Sequence, residues 1–457
     1  MPLHTLLQKR AAENRPIRIG VIGAGKFGSM YLAQARRTAG VHIMALAELS
    51  PERAKDALRR VGWPDAQFEA ASFEDAVRTG KTFITEDSQG LVAADGMEVV
   101  IDATGVPAMG IRHALLAAQY GRHIVMVNVE ADVLAGPLLA RKVEAGGGVY
   151  TLAYGDQPAL IAEIVDWARA AGFDVVSAGK GTKYLPHYHE STPDTVWQHY
   201  GQSLTPEEAD AAGLNSQMFN SFLDGTKSGI EMAAVANATG LTPAPDGLTF
   251  PPCGTHDLTH VMRPKAEGGL LHHKGQVEVI SSSERDAREV VNDLRWGVFA
   301  TLEAPDDYVR ECFAQYGLTQ SPDGRYAAMY KPYHLIGLEL GISVANAALR
   351  GESTGAPDDW RGDVVATAKR DLKAGETLDG EGGYTVWGKL MPAETSLRIG
   401  GLPIGLAHNV KLRRHIPQGQ HIGWADVDID ETAEACRVRR EMEKAFALPN
   451  VARPAAE

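Results

Sequence analysis

Between Ile17 and about residue 155, short apolar runs alternate with helical stretches, and each run stops at glycine or a polar residue. Ile17–Ile22, Val41–Leu46, Glu98–Gly105, His123–Glu130 and a run from Val149 read as strands, with a helix from about Ala108 to Tyr120. Such alternation builds a parallel sheet covered by helices on both faces. Pro158 then sits where proline suits the first turn of a following helix.

The pattern changes further on. Phe173–Ala178 reads as a strand that feeds the turn Gly179–Lys183, followed by a polar, aromatic-rich loop through His187, His189 and His199. Asn215–Thr239 reads as one long helix, Gly275–Ser282 and Trp296–Leu302 as strands, and Tyr333–Arg350 as a helix closing this part. That mixed order predicts an α+β substrate domain. From Asp363 two related phrases, Val364–Leu378 and Val410–Val427, each give a strand, a glycine turn and a polar exit, which predicts a compact β module. The expected domains are residues 1–155, 156–358 and 359–445, with an Ala/Pro-rich flexible tail over 446–457.

The first strand runs into Gly23-Ala-Gly25-Lys26-Phe27-Gly28, a glycine turn opening a helix. Gly23 permits the turn, Gly25 lets backbone approach a pyrophosphate, and Gly28 allows close helix–strand packing. Glu48 closes the second strand, 20 positions after Gly28, where a ribose hydroxyl is read. The fold class expected is therefore α/β, a Rossmann-type doubly wound parallel sheet followed by the α+β domain and the small β-rich module. Ligands lie beyond the carboxyl ends of such strands, so Thr104, Gly105, Asn128 and Glu130 are expected along the cofactor; ordinary loop chemistry is the alternative for each.

Length and charge narrow the function. A chain of 457 residues exceeds one ordinary core, and a net charge of −13 with no basic tract argues against nucleic-acid binding. Hydrophobic residues make up 44% and no run approaches a membrane span, so neither a leader nor an anchor is expected. Cys253, Cys312 and Cys436 are widely spaced and read as free thiols, placing the chain in the cytoplasm. A homo-oligomer is the default expectation.

The candidate chemistry is basic. Lys180 and Lys183 flank a Gly-Thr turn and could clamp a phosphate or carboxylate, or form a solvated surface pair. Asp224, Lys227 and Glu231 fall in a helix rich in apolar residues; Lys227 and Glu231 share a face, either as a surface salt bridge or as a buried acid delivering a proton while hydride reaches carbon. His187 and His189 would point together on an extended strand, but no third ligand completes a zinc site, and His272-His273 is no better supplied. Ser221 and Ser228 have no nucleophile elbow around them, so hydrolase chemistry is not indicated.

With these residues in view, the chain resembles the homoserine-dehydrogenase-like oxidoreductases that carry a C-terminal SAF domain, and among them the DXR-like, or DRL, proteins. The strings that carry the resemblance are Leu6–Ala12, Asn128-Val-Glu-Ala-Asp132, Ala178-Gly-Lys-Gly-Thr-Lys-Tyr-Leu-Pro-His-Tyr-His189 and Phe222-Leu-Asp-Gly-Thr-Lys-Ser228. It implies NADPH and a divalent cation, Mg or Mn, with an activity like 1-deoxy-D-xylulose-5-phosphate reductoisomerase in isoprenoid precursor synthesis. Lys227 matches the catalytic lysine of the homoserine dehydrogenases, with Asp224 or Glu231 assisting; Lys180, Lys183, His187 and His189 would meet a phosphorylated, sugar-like substrate. Glu130 stands where those enzymes have lysine, which weakens homoserine as a substrate. Glu48 favours NAD, whereas Ser50 and Arg53 could hold the extra phosphate of NADP if Glu48 turned away, leaving NAD(P) open with NADP ahead on resemblance. A sugar-acid or homoserine-type dehydrogenase without rearrangement and a non-catalytic dinucleotide sensor are the alternatives.

Overall fold

The computed structural model describes residues 2–202, 204–211 and 214–447. The chain divides into two compact units, residues 1–160 with 334–358, and residues 161–333 with 359–457.

In the first unit, β1 (Ile17–Ile22), β2 (Val41–Ala47), β3 (Phe83–Thr85), β4 (Val99–Asp102), β5 (His123–Met126) and β6 (Tyr150–Leu152) form one sheet. All pairings are parallel and the order is β3-β2-β1-β4-β5-β6, so the winding reverses between β1 and β4. This is a Rossmann-type α/β sheet, whose reversal point is where such sheets open a crevice. Ile17, Ile19, Val21, Leu46, Ile101 and Val125 lie in its core. The strand expected to run from His123 to Glu130 stops at Met126; Asn128 caps the helix Val129–Ala145, and Glu130 lies in that helix's first turn.

The segment expected to close the substrate domain belongs here instead. Its helix is only Gly341–Arg350, and Leu340 and Val344 join the sheet's core. Residues before it pass close to the helix Lys26–Ala35: at Gly337, φ is +78° and a Cβ would come within 2.8 Å of Met30 Cβ, so only glycine fits.

Asp132 is fully buried in the helix Val129–Ala145, accepts the Tyr150 hydroxyl at 2.8 Å, and has no partner for its second oxygen. Burial pushes its carboxyl up to about 7, the Tyr150 bond offsetting only part of that. The folded state therefore holds a proton that the unfolded chain has already lost, and stability falls as pH rises from the ordinary carboxylate range toward 7. Relative to Asp132→Asn, the native chain should lose on the order of 2–4 kcal/mol across that window. Urea denaturation at both ends checks it; equal pH slopes in the two proteins would count against the assignment.

The second unit is built on β7 (Asp174–Thr182), β8 (Gln276–Ser281), β9 (Val298–Glu303), β10 (Thr319–Gln320) and β11 (Tyr326–Lys331), in the order β10-β11-β9-β7-β8. Only β7 and β8 run parallel. β7 continues through the residues expected to turn, because Gly179 and Gly181 let neighbouring backbone close in: a Cβ would meet Glu278 O at 1.7 Å and Leu294 O at 1.9 Å respectively. Lys180 thus lies within a strand. The expected long helix is two, Ser216–Leu223 and Thr226–Thr239, broken where Gly225 adopts φ +91°.

The C-terminal strands are β12 (Gly362–Ala368), β13 (Thr377–Asp379), β14 (Val386–Pro392), β15 (His408–Leu412) and β16 (Val427–Asp428), with β12–β14 and β13-β15-β16 as antiparallel sheets. They share the compact unit of the central sheet instead of standing apart at residue 359. Asn237, in the helix Thr226–Thr239, accepts the N–H groups of Arg361 and Gly362 at 2.8 and 2.9 Å, and Gly229 lies where a Cβ would be 3.1 Å from Gly388 O. The final helix, Glu434–Phe446, is locked by Arg439, whose guanidinium donates to Asp363 and Glu443. It reaches Phe446; the rest of the expected tail, from residue 448, lies outside the described residues.

Candidate functional site

The glycine turn has the shape of a phosphate cradle. Gly23 has φ +100° and a Cβ there would strike Ala103 O at 2.6 Å; a Cβ on Gly28 would strike Gly23 O at 2.2 Å. Gly25 differs, since nothing lies within 4 Å of its Cβ position, and it is the N-cap of the helix Lys26–Ala35. Open space above an exposed helix start suits a pyrophosphate. Lys26 is exposed in that first turn, whereas Phe27 packs on the core.

Glu48 is fastened. Its carboxylate accepts Ala24 N–H at 2.8 Å and Leu49 N–H at 3.0 Å, tying the end of β2 to the glycine turn. Ser50 accepts Arg53 N–H at 3.5 Å as cap of the helix Pro51–Arg60, and the Arg53 side chain is exposed.

Beyond β4 lies a network that local sequence does not announce. Asp102 Oδ1 accepts Thr104 N–H at 3.1 Å and the Thr104 hydroxyl at 2.8 Å, and Asp102 Oδ2 faces His113 Nδ1 at 2.5 Å. His113 is fully buried and its Nε2 meets Ser88 Oγ at 2.9 Å. Asn128 donates to Thr104 Oγ1 at 3.1 Å and to Val106 O at 2.9 Å while accepting Ala131 N–H at 3.2 Å. Thr104 and Asn128 therefore set the loop carrying Gly105, itself at φ +65°. Glu130 is half-buried beside Asn128 in sequence.

In the second unit the expected charged residues are brought together differently. Glu231 pairs with Lys180, both nearly inaccessible, and not with a surface partner. Asp224 pairs with Lys369 at 2.8 Å, and Lys369 also donates to the carbonyls of Ser191 and Gly383, each at 2.7 Å. Asp224 caps the helix break, its Oδ1 accepting Thr226 N–H at 2.9 Å. Lys227 is half-buried in the first turn of the helix Thr226–Thr239.

His187 and His189 fall in a short 3₁₀ turn, Pro186–Glu190, so they do not share a face as strand residues would. His189 points inward, stacks on Trp387 at 3.9 Å, and contacts Asp224 O through Nδ1 at 2.7 Å and the Tyr184 hydroxyl through Nε2 at 2.9 Å. A carbonyl only accepts, so Nδ1 carries the proton and Nε2 accepts from Tyr184. Burial holds this imidazole below the ordinary histidine range, against the pull of the Asp224 carbonyl. His187 is exposed and its ring lies 5.6 Å from that of His199. Lys183 leaves β7 on its own course, its ammonium donating to His199 O at 2.5 Å. Sequence reasoning passed over Lys369, Tyr184, Trp387, Asp102 and His113.

Asp224 and Glu231 are each neutralised by a buried lysine, and among the described residues no group of three or more His, Cys, Asp or Glu side chains could hold a metal ion. Among the described residues, too, no helix is long and apolar enough to cross a membrane.

Residues 155–340 match the family model described as oxidoreductase DRL, catalytic domain. This segment is similar to the DRL catalytic domain, and the chain is an oxidoreductase. The match takes in β7, the helix break and the Lys180–Glu231 pair, while the glycine cradle and the C-terminal strands lie outside it. No curated protein matches the chain. Solved structures similar in part include the WlbA dehydrogenase from Bordetella pertussis in complex with NADH and UDP-GlcNAcA, with 16% identity over 37% of this chain and 48% of that one and a TM-score of 0.27. Another is the myo-inositol dehydrogenase from Lactobacillus casei in complex with NAD(H) and myo-inositol, with 15% identity over 40% and 50% and a TM-score of 0.27. The similarity thus spans about half the length of those proteins.

Proposed function

We propose that this chain is a DRL-type, NAD-dependent oxidoreductase reducing a small phosphorylated polyhydroxy ketone or aldehyde. The observation that carries the cofactor assignment is Glu48, held by two backbone amides at the end of β2 beside an open glycine cradle. A carboxylate fixed there accepts ribose hydroxyls and repels a 2′-phosphate, and it is not free to turn away, so NAD displaces the NADP implied by resemblance. Gly23, Gly25, Lys26 and Gly28 would hold the pyrophosphate, with Thr104, Gly105 and Asn128 along the nicotinamide side. The reduced nicotinamide, when bound, supplies the hydride. Lys227 gives a proton to the carbonyl oxygen, so that C=O becomes CH–OH, and is reprotonated from solvent.

The neutralised carboxylates favour reduction without a divalent cation, and thus a dehydrogenase of the sugar-phosphate or sugar-acid kind over a metal-dependent reductoisomerase. The C-terminal strands are proposed as the SAF module of the resemblance. The test follows NADH and NADPH absorbance with 1-deoxy-D-xylulose 5-phosphate and other phosphorylated sugars, with and without Mg²⁺ or Mn²⁺. Oxidation that needs the cation would overturn the metal-free reading; no oxidation with any phosphorylated carbonyl would overturn the substrate class. Glu48→Gln should lower NADH kcat/KM by ~10–100-fold, the value of a charged hydrogen bond, and narrow the NADH over NADPH preference. An unchanged preference would remove Glu48 from cofactor recognition.

A further inference from the structure

Asp102 closes β4 at the point where the winding of the sheet reverses, and its two carboxylate oxygens serve opposite sides. In front, Oδ1 accepts the Thr104 N–H at 3.1 Å and the Thr104 hydroxyl at 2.8 Å. Behind, Oδ2 faces His113 Nδ1 at 2.5 Å, and among the described residues no lysine or arginine pairs with Asp102. Asp102 and His113 are both fully buried, whereas Gly105 and Val106, on the loop that Thr104 begins, are exposed. The loop is presented outward and anchored from within.

A carboxylate accepts, so His113 Nδ1 carries a proton toward Oδ2, and Nε2 is left for the Ser88 hydroxyl at 2.9 Å. Ser88 is half-buried at the start of the helix Ser88–Ala93, so the imidazole is held at both nitrogens. Without the Nδ1 bond, Oδ2 would be a buried oxygen lacking its donor, and the carboxylate would turn to share the donors of Thr104. Turning it moves the loop. Thr104 stands against the glycine turn, since a Cβ on Gly23 would come within 3.4 Å of Thr104 N as well as striking Ala103 O. Asn128 holds Thr104 Oγ1 at 3.1 Å but reaches Asp102 Oδ1 only at 3.4 Å, and so does not stand in for His113.

We infer that His113 is a positioning residue for dinucleotide binding: it fixes the Asp102 carboxylate, through which the loop from Thr104 to Val106 keeps its place beside the glycine turn. The role rests on the reading that the cofactor lies along Thr104 and Gly105. His113 acts through Asp102, being itself withdrawn from any ligand.

The test is NADH binding to the full chain, followed by fluorescence, in the native protein, His113→Asn and His113→Gln. An asparagine amide falls near the place of Nδ1 and can donate to Asp102, whereas a glutamine amide falls near the place of Nε2 and meets Ser88 instead. Asparagine leaves the larger void, so a residue that only fills space would rank glutamine above asparagine. Positioning reverses that order. His113→Gln should weaken NADH binding about 10–100-fold, the worth of a hydrogen bond to a charged group, and His113→Asn about threefold or less. Equal affinities in the two variants, or tighter binding by the glutamine one, would overturn the role. Where His113→Gln fails to fold, Ser88→Ala takes its place: it releases the far side of the imidazole and should weaken NADH binding about 2–10-fold, native affinity being the result that counts against the role. A native chain that binds no NADH would overturn the cofactor reading itself, whereas native binding with the wrong order of variants removes only the part given to His113.

Discussion

Lys227→Met lowers turnover by roughly 10²–10⁴-fold, the usual worth of a positioned proton donor, while NADH affinity stays within about twofold. The expectation begins with where the lysine sits. It occupies the first turn of the helix Thr226–Thr239, whose positive end gives no stabilisation to a cation. The carboxylate one turn further on, Glu231, is committed to Lys180, and the one before the break, Asp224, to Lys369. Both acids expected to assist Lys227 therefore serve other lysines, and their contribution is to keep the helix start fixed. Lys227→Arg retains charge but is a far weaker acid, so it should recover binding of the carbonyl substrate and little of the turnover. Single-turnover rates with NADH separate this from a binding defect. A Lys227→Met protein that reduces substrate at the native rate would end the assignment, and one that has lost NADH binding would mean the residue acts through the fold.

The glycine turn was legible because its signal is local. Gly23, Gly25, Gly28 and Glu48 are fixed by strand ends and turn geometry within one βαβ unit, and the sheet order β3-β2-β1-β4-β5-β6 agrees with the alternation that announced it. β3 was not legible, being three half-buried residues with no long apolar run. The charged centre was legible only in membership. That Asp224 and Glu231 are buried follows from an apolar helix around them, but their partners come from elsewhere: Lys180 lies 51 positions from Glu231, and Lys369 directly follows β12. The helix break at Asp224–Gly225 had a signal, an Asp-Gly step, that the surrounding apolar residues overrode. The His187–His189 pairing failed because the 3₁₀ turn changes the period that places side chains. His113 reads in sequence as one more polar residue on a helix, and only the sheet places Asp102 opposite it.

Lys369→Met costs about 3–5 kcal/mol of folding stability, more than any surface ion pair in the molecule could. Lys369 and Asp224 are almost wholly withdrawn from water, with side-chain exposures of 2% and 0%. Methionine fills the space of the lysine stem but leaves three acceptors behind: the Asp224 carboxylate and the carbonyls of Ser191 and Gly383. The carboxylate matters most, because a buried charge stripped of its partner keeps its full desolvation cost. Asp224→Asn should be milder than Lys369→Met, since an amide oxygen can still accept Thr226 N–H and cap the helix start. In the double variant Lys369→Met with Asp224→Asn no uncompensated carboxylate remains, so its loss should be smaller than the sum of the single losses by at least about 1 kcal/mol. Urea unfolding of the native protein, the two single variants and the double variant measures that difference. Additive losses would mean that the two residues stabilise the chain separately, and that the bond from the C-terminal strands to the helix break is not what holds Lys227 in place.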